Sequence, residues 1–137
     1  MKILADVNIF VDVQRRRANW NTSFLVLKTV TDGKNEGCVS ALTPAILYFL
    51  RREITTEKQA RTEAADVIEG FKIIDLTASL IQSAFAENRV DFEDAIQFLS
   101  AKQSDAIILT RNKKHFRSVE GELEILTPEE FLRKYPD

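Results

Sequence analysis

Three groups of polar side chains in this chain are suited to hydrolysing a phosphodiester. Asp91 and Asp94 are three residues apart, so on a helix both carboxylates lie on one side of its first turn and face one point. Asp6 follows directly on the apolar run from Lys2 to Ala5, and a carboxylate closing a buried strand must meet a cation or several donors to offset its desolvation. Thr110, Arg111 and Asn112 follow a second apolar run, Ala106 to Leu109, and Lys113, Lys114, His115 and Arg117 extend that turn into a basic stretch. Hard cations such as Mg²⁺ or Mn²⁺ take oxygen ligands and keep several waters, so two or three carboxylates suffice to hold one beside a phosphate. Such an ion polarises the phosphoryl oxygen and lowers the pKa of an attacking water.

Each group also has a plainer reading. Asp91 with an acid three residues later describes a helix N-cap without any metal. Asn8 either caps the helix after Asp6 or orients Asp6 from behind. Arg111, Lys113, Lys114 and His115 read as phosphate contacts or as a solvated turn, and Arg15 to Arg17 as a solvated helix end. His115 is the only histidine, which leaves a two-histidine zinc site and a Ser-His-Asp system without corroboration, and no Gly-rich phosphate loop is present. An aspartyl nucleophile at Asp6 that accepts a phosphoryl group is a further class. Asn8 stands where such enzymes usually carry a second acid.

These residues need a scaffold that brings the ends of two strands together. Lys2 to Ala5 reads as a strand running into a helix with Ile9, Phe10 and Val13 on one side. Asn21 or Thr22 is expected to cap the next helix, with Gly33 and Gly37 punctuating its end. Cys38 to Ser40 reads as strand two, followed by Thr43 as N-cap with Pro44 at the first helical position. Thr55 or Thr56 opens a charged helix that Gly70 ends, and Phe71 to Ile74 reads as strand three. Thr77 and Asp91 cap two further helices, Ala106 to Leu109 is strand four, and Glu124 to Leu126 strand five. Thr127-Pro128-Glu129-Glu130 is a capping box that opens a terminal helix. Strands alternating with helices predict a three-layer α/β fold, a mostly parallel five-stranded sheet with helices on both faces.

The chain has 137 residues, the usual size of one domain, and the whole span 1–137 is expected to fold as one unit. Apolar residues make up 45% and charged residues 29%, too apolar for a disordered segment. Net charge is −2, so attraction to nucleic acid must come from local basic clusters rather than from the molecule as a whole. No run approaches the roughly 20 apolar residues that span a bilayer, and Met1 to Ala5 meets Asp6 too soon for a secretory signal. A cytoplasmic location without membrane contact is expected. A lone cysteine, Cys38, reads as a packed thiol.

Taken together, the segments resemble the PIN-domain family. Ile3-Leu4-Ala5-Asp6-Val7-Asn8 looks like its opening motif. Asp91-Phe92-Glu93-Asp94-Ala95 with Ala101, and then Ile108 to Phe116, look like its central and late motifs, in order from Met1 to about Phe131. The resemblance implies a flavodoxin-like sheet, a Mg²⁺ or Mn²⁺ site, and ribonuclease activity on single-stranded RNA. It also implies toxin function in a toxin–antitoxin pair, hence an antitoxin protein as partner, and a homodimer. Carried over, Asp6 and Asp94 match metal ligands and catalytic residues. Asn8 matches the support of the first Asp, and Thr110 and Asn112 occupy the turn that completes the site, with Asn112 a neutral oxygen ligand and Asp91 an added one. Ile46 stands about where relatives place a Glu, and His115 where they often have another acid. The alternative is a non-catalytic PIN-like module that binds RNA or protein through a degenerate metal site.

Overall fold

The computed structural model describes residues 1–136. Strand β1 (Lys2–Ala5) is buried from Ile3 onward, as a central strand of a parallel sheet must be. Strands β2 (Glu36–Ser40), β3 (Lys72–Ile74), β4 (Ile107–Leu109) and β5 (Ile125–Leu126) join it in the order β3-β2-β1-β4-β5, every pairing parallel. The chain builds outward from β1 to β3, then returns to lay β4 on the other side of β1. The order therefore reverses between β1 and β4, the place where open α/β sheets take their ligands. There Ala5 pairs with Leu109, which sets the next residues, Asp6 and Thr110, side by side.

Successive strand residues feed opposite faces. Ile3, Ala5 and Val39 pack under α1 (Val7–Arg15), α2 (Trp20–Thr31), α3 (Leu42–Arg52), α4 (Glu57–Val67) and α7 (Pro128–Lys134). Leu4, Cys38 and Ile108 pack under α6 (Phe92–Gln103) and a 3-10 helix (Lys113–Val119), while α5 (Ala78–Ala86) rests on α6 through Leu80, Ala84, Ala95 and Ile96. The three-layer α/β expectation holds. No helix among the described residues is long and apolar enough to cross a membrane.

Local signals place most helix starts. Thr56 and Thr77 accept N–H bonds three residues on, and Thr127 and Glu130 close the capping box in both directions. Three details differ from the sequence reading. Helix α2 begins at Trp20 behind Asn19, which sits at φ 65°, and Thr22 donates to the Asn19 carbonyl instead of capping. Helix α3 begins at Leu42, so Pro44 is its third residue, where an amide hydrogen would still be unpaired. Gly37 lies inside β2 rather than ending a helix: a Cβ there would stand 2.6 Å from the Phe71 ring and 2.7 Å from Val30. Cys38 is buried, and burial pushes its thiol up to about 11, so it is an inert packing residue.

Candidate functional site

Asp6 is the N-cap of α1. Its Oδ1 accepts the Val7 N–H at 2.8 Å and its Oδ2 accepts the Thr110 hydroxyl at 2.9 Å. Thr110 is fully buried, and its Oγ accepts the Asn112 N–H at 3.0 Å. One carboxylate thus ties the start of α1 to the turn after β4. Burial pushes the Asp6 carboxyl above the usual carboxylate range in spite of the two bonds, which work the other way.

Asp94 lies in the first turn of α6, its side chain 16% exposed. It is pushed up to about 6, first by burial and then by the Asp6 charge, with Asp91 and Glu93 acting in the same direction and His115 against it. His115 Nδ1 is 3.6 Å from Asp94 Oδ2, too far for a hydrogen bond. Asp6, Asp91, Glu93 and Asp94 thus concentrate negative charge at this rim, with His115 beside them. Among the described residues no three His, Cys, Asp or Glu side chains draw together tightly enough to hold an ion between them. The candidate donors are Asp6 and Asp94, which feel each other's charge, with Asp91 near enough to be felt electrostatically by Asp94. Such a set fits a hard divalent cation held by one or two carboxylates and completed by water and a substrate phosphate.

The raised Asp94 value has a testable sign. The fold holds the Asp94 proton more tightly than the unfolded chain does, so its stabilising contribution is present below about pH 4 and is lost as pH rises through about 6. Asp94→Asn keeps the shape and removes the charge. Thermal denaturation is expected to show it more stable than the wild type at pH 8 by roughly 1 kcal/mol after allowing for solvent screening, the gain shrinking towards pH 4. An equal gain at both pH values would place its origin elsewhere.

The remaining sequence-derived candidates divide. Asp91 occupies the N-cap position of α6 but makes no side-chain cap bond, and it is exposed. Asn8 neither caps α1 nor bonds Asp6; the cap is Asp6 itself, and Thr110 gives the support expected of Asn8. Asn112 stands half-buried at the start of the 3-10 helix, next to Thr110. Ile46 is half-buried and packs against the apolar cluster under α1 and α3, so that stretch of α3 offers no oxygen. Lys114 and His115 are exposed, whereas Lys113 is paired with Glu130 at 3.1 Å.

Arg111 does not reach the rim. Its guanidinium, in a side chain 19% exposed, donates from Nε to Asp12 at 2.6 Å, from Nη1 to Glu129 at 2.8 Å, and from Nη2 to the Asn19 carbonyl at 2.8 Å and the Thr22 and Ser23 hydroxyls at 2.7 and 2.9 Å. A guanidinium committed to α1, α2 and α7 has little left for a phosphate, so the structure makes Arg111 an anchor of the turn that carries Thr110 and Asn112. The sequence reading passed over Asp12. Its signal was a lone acid within Ile9-Phe10-Val11-Asp12-Val13, a buried charge in want of a partner. A cavity of about 830 Å³ opens at the amino-terminal ends of β1, β2 and β3, beside Lys2, Glu36, Lys72 and Asp105, and none of the site residues lines it.

No protein-family model matches the chain. It is 26% identical over 140 residues to Ribonuclease VapC1 of Aquifex aeolicus, a span of 98% of this chain and 95% of that protein. Its fold is similar to a chain of the VapBC2 structure from Rickettsia felis bound to a promoter DNA fragment, with TM-score 0.68, 19% identity, and 93% and 98% of the two chains covered. It is likewise similar to a chain of a toxin–antitoxin complex from Klebsiella pneumoniae, with TM-score 0.66, 21% identity, and 92% and 97% covered.

Proposed function

From a chain with a PIN-like fold and the motifs that go with it, we propose a metal-dependent endoribonuclease that hydrolyses phosphodiester bonds in single-stranded RNA, acting as the toxin of a toxin–antitoxin pair. The observation that carries this reading is the pair Asp6 and Asp94 at the reversal between β1 and β4, two carboxylates held above the usual range by burial, Asp94 also by the charge of Asp6. Similarity to a VapC ribonuclease along nearly the whole chain supports the substrate class. The toxin–antitoxin setting of the structural neighbours supports an antitoxin as partner.

Asp6 and Asp94 would hold the ion, Mg²⁺ or Mn²⁺, with Asp91 adding charge and Asn112 a neutral oxygen. A bound ion supplies positive charge against the phosphate and acidifies water at the site. The protein's own part is positional. Thr110 holds Asp6 in one orientation, and Lys114 and His115 present cationic or hydrogen-bonding groups to the phosphates on either side.

Isothermal titration of Mn²⁺, run beside cleavage of an unstructured RNA, tests the reading. Binding and cleavage that appear together support it. Absence of both at millimolar metal assigns the chain to the second reading, a PIN-like module that binds RNA or protein without cutting. That reading is favoured by Ile46, which puts a hydrocarbon where relatives place a Glu. Ile46→Glu is therefore expected to tighten Mn²⁺ binding by about tenfold or more and to raise cleavage in parallel, since a further carboxylate is added to a site poor in them. An unchanged Mn²⁺ affinity would show that this stretch of α3 does not face the site.

A further inference from the structure

We propose that Gln97 is a positioning residue, which through Thr43 holds the first turn of α6, and with it Asp94, in its setting over Asp6. The inference rests on the ribonuclease reading, in which that pair would meet the metal. Leu4 pairs with Cys38, so two residues further on Asp6 and Ser40 stand level on neighbouring strands, both on the face that α6 covers. With Thr110 on the other side of Asp6 they form a polar row along the ends of β2, β1 and β4, and all three are buried. Gln97 lies one turn after Asp94 on α6 and is fully buried. A helical side chain leans toward the amino-terminal end of its helix, which carries the Gln97 carboxamide back toward the turn that holds Asp94. Its Nε2 donates to the Thr43 hydroxyl at 3.3 Å, in the first turn of α3, and the Thr43 and Ser40 hydroxyls lie 3.4 Å apart. The start of α3, the end of β2 and α6 are thus linked beside Asp6 by side chains buried from water.

Packing alone does not explain a glutamine in this place. Among the described residues nothing bonds its Oε1, and Ser100, one turn further along α6, likewise leaves its hydroxyl unpaired in the interior. A buried polar atom without a partner costs stability, whereas leucine, of similar size, carries no such cost. Departures of this kind gather at functional sites. This one stands between the two elements whose spacing decides the geometry of the carboxylates. Leu42 packs against the cluster around Ala95 and Ile96, which presses α3 on α6 without preferring one setting, because apolar contact has no direction. The bond from Gln97 to Thr43 does have a direction, and it selects the setting. Outer partners that orient a metal's ligands act in this way.

The test titrates Mn²⁺ calorimetrically into the full chain as wild type, Gln97→Leu, Thr43→Val and Thr43→Ser, and melts the same preparations. Gln97→Leu and Thr43→Val are expected to raise the Kd for Mn²⁺ by about 10- to 100-fold, the range for losing an outer partner of a metal ligand. Gln97→Leu should nevertheless melt no lower than the wild type, because it deletes an unpaired buried oxygen. Thr43→Ser should bind as the wild type does, and joining Gln97→Leu to Thr43→Val should add nothing to either alone, since both break one contact. An unchanged Kd in Gln97→Leu overturns the proposal. So does a Gln97→Leu chain that loses binding and melting temperature together, which would make Gln97 a core residue and nothing more. If the wild type neither binds Mn²⁺ nor cuts RNA, the ribonuclease reading falls, and hydrogen exchange of the Ala95 amide, bonded to the Asp91 carbonyl at 2.7 Å, decides the positioning. Faster exchange there in Gln97→Leu, with Tm kept, upholds it; exchange equal to the wild type overturns it.

Discussion

Asp6→Asn is expected to abolish RNA cleavage while leaving the fold at least as stable as the wild type. The carboxylate is buried, and under the proposed function its loss would remove half of the donor pair for the metal. A drop of about 10²–10³-fold or more in kcat/KM is the size seen when one preorganised electrostatic group leaves an active site. The same change should help folding. Burial holds the Asp6 carboxyl above its usual range, so the charge costs stability at neutral pH, and a neutral amide of the same shape is relieved of that cost. The amide oxygen still accepts from Val7, and Thr110 can turn its hydroxyl to meet the new N–H. Cleavage kinetics and thermal melting on one preparation check both halves. A variant that loses activity and stability together would mean that Asp6 is chiefly a structural cap.

Arg111→Met is expected to be the most destabilising of the changes considered. It leaves Asp12, buried against α2, with the Ser23 hydroxyl as its remaining partner. Breaking one side of a buried ion pair typically costs about 3–5 kcal/mol, a large share of the roughly 5–15 kcal/mol that holds a domain together. At this chain length that corresponds to a fall in Tm of about 10 °C or more. Adding Asp12→Leu should recover much of the loss, because an apolar pair of similar volume does not strand a charge, and the resulting double-mutant cycle reads the coupling directly. Arg111→Lys should fall between, since the three donors of an ammonium share one nitrogen and cannot span the separate positions of Asp12, Glu129 and the Asn19 carbonyl that Nε, Nη1 and Nη2 reach. A cost below about 1 kcal/mol for Arg111→Met would show that the network is worth no more than a surface pair.

What could be read from sequence follows the range of the interactions. Thr56, Thr77 and Thr127 marked their helices because a cap bonds its own neighbours, and Asp6 and Thr110 stood out because each directly follows a buried strand. Their direct bond, by contrast, follows from strand order, which places β4 against β1. The start of α2 was misplaced because Asn19 enters it through a left-handed backbone with no side-chain cap to advertise the turn. Arg111 looked like a phosphate contact within a basic run. Its partners Asp12 and Ser23 lie 99 and 88 residues away, and nothing local distinguishes it from Lys114. Helical spacing puts Phe85 in one stripe with Ile81 and Ala84, yet its ring is 72% exposed at the end of α5.

The 104-residue separation between Asp6 and Thr110 also sets the order of events during synthesis. A chain emerging from the ribosome delivers Asp6 with its first strand, but β4, which must lie against that strand, comes late, and Glu129, which fastens Arg111, later still. Domains generally fold as units as they emerge, yet here the amino-terminal half has no means of completing the site alone. The bond between Asp6 and Thr110 therefore forms only once a strand made about a hundred residues later has been laid against the first.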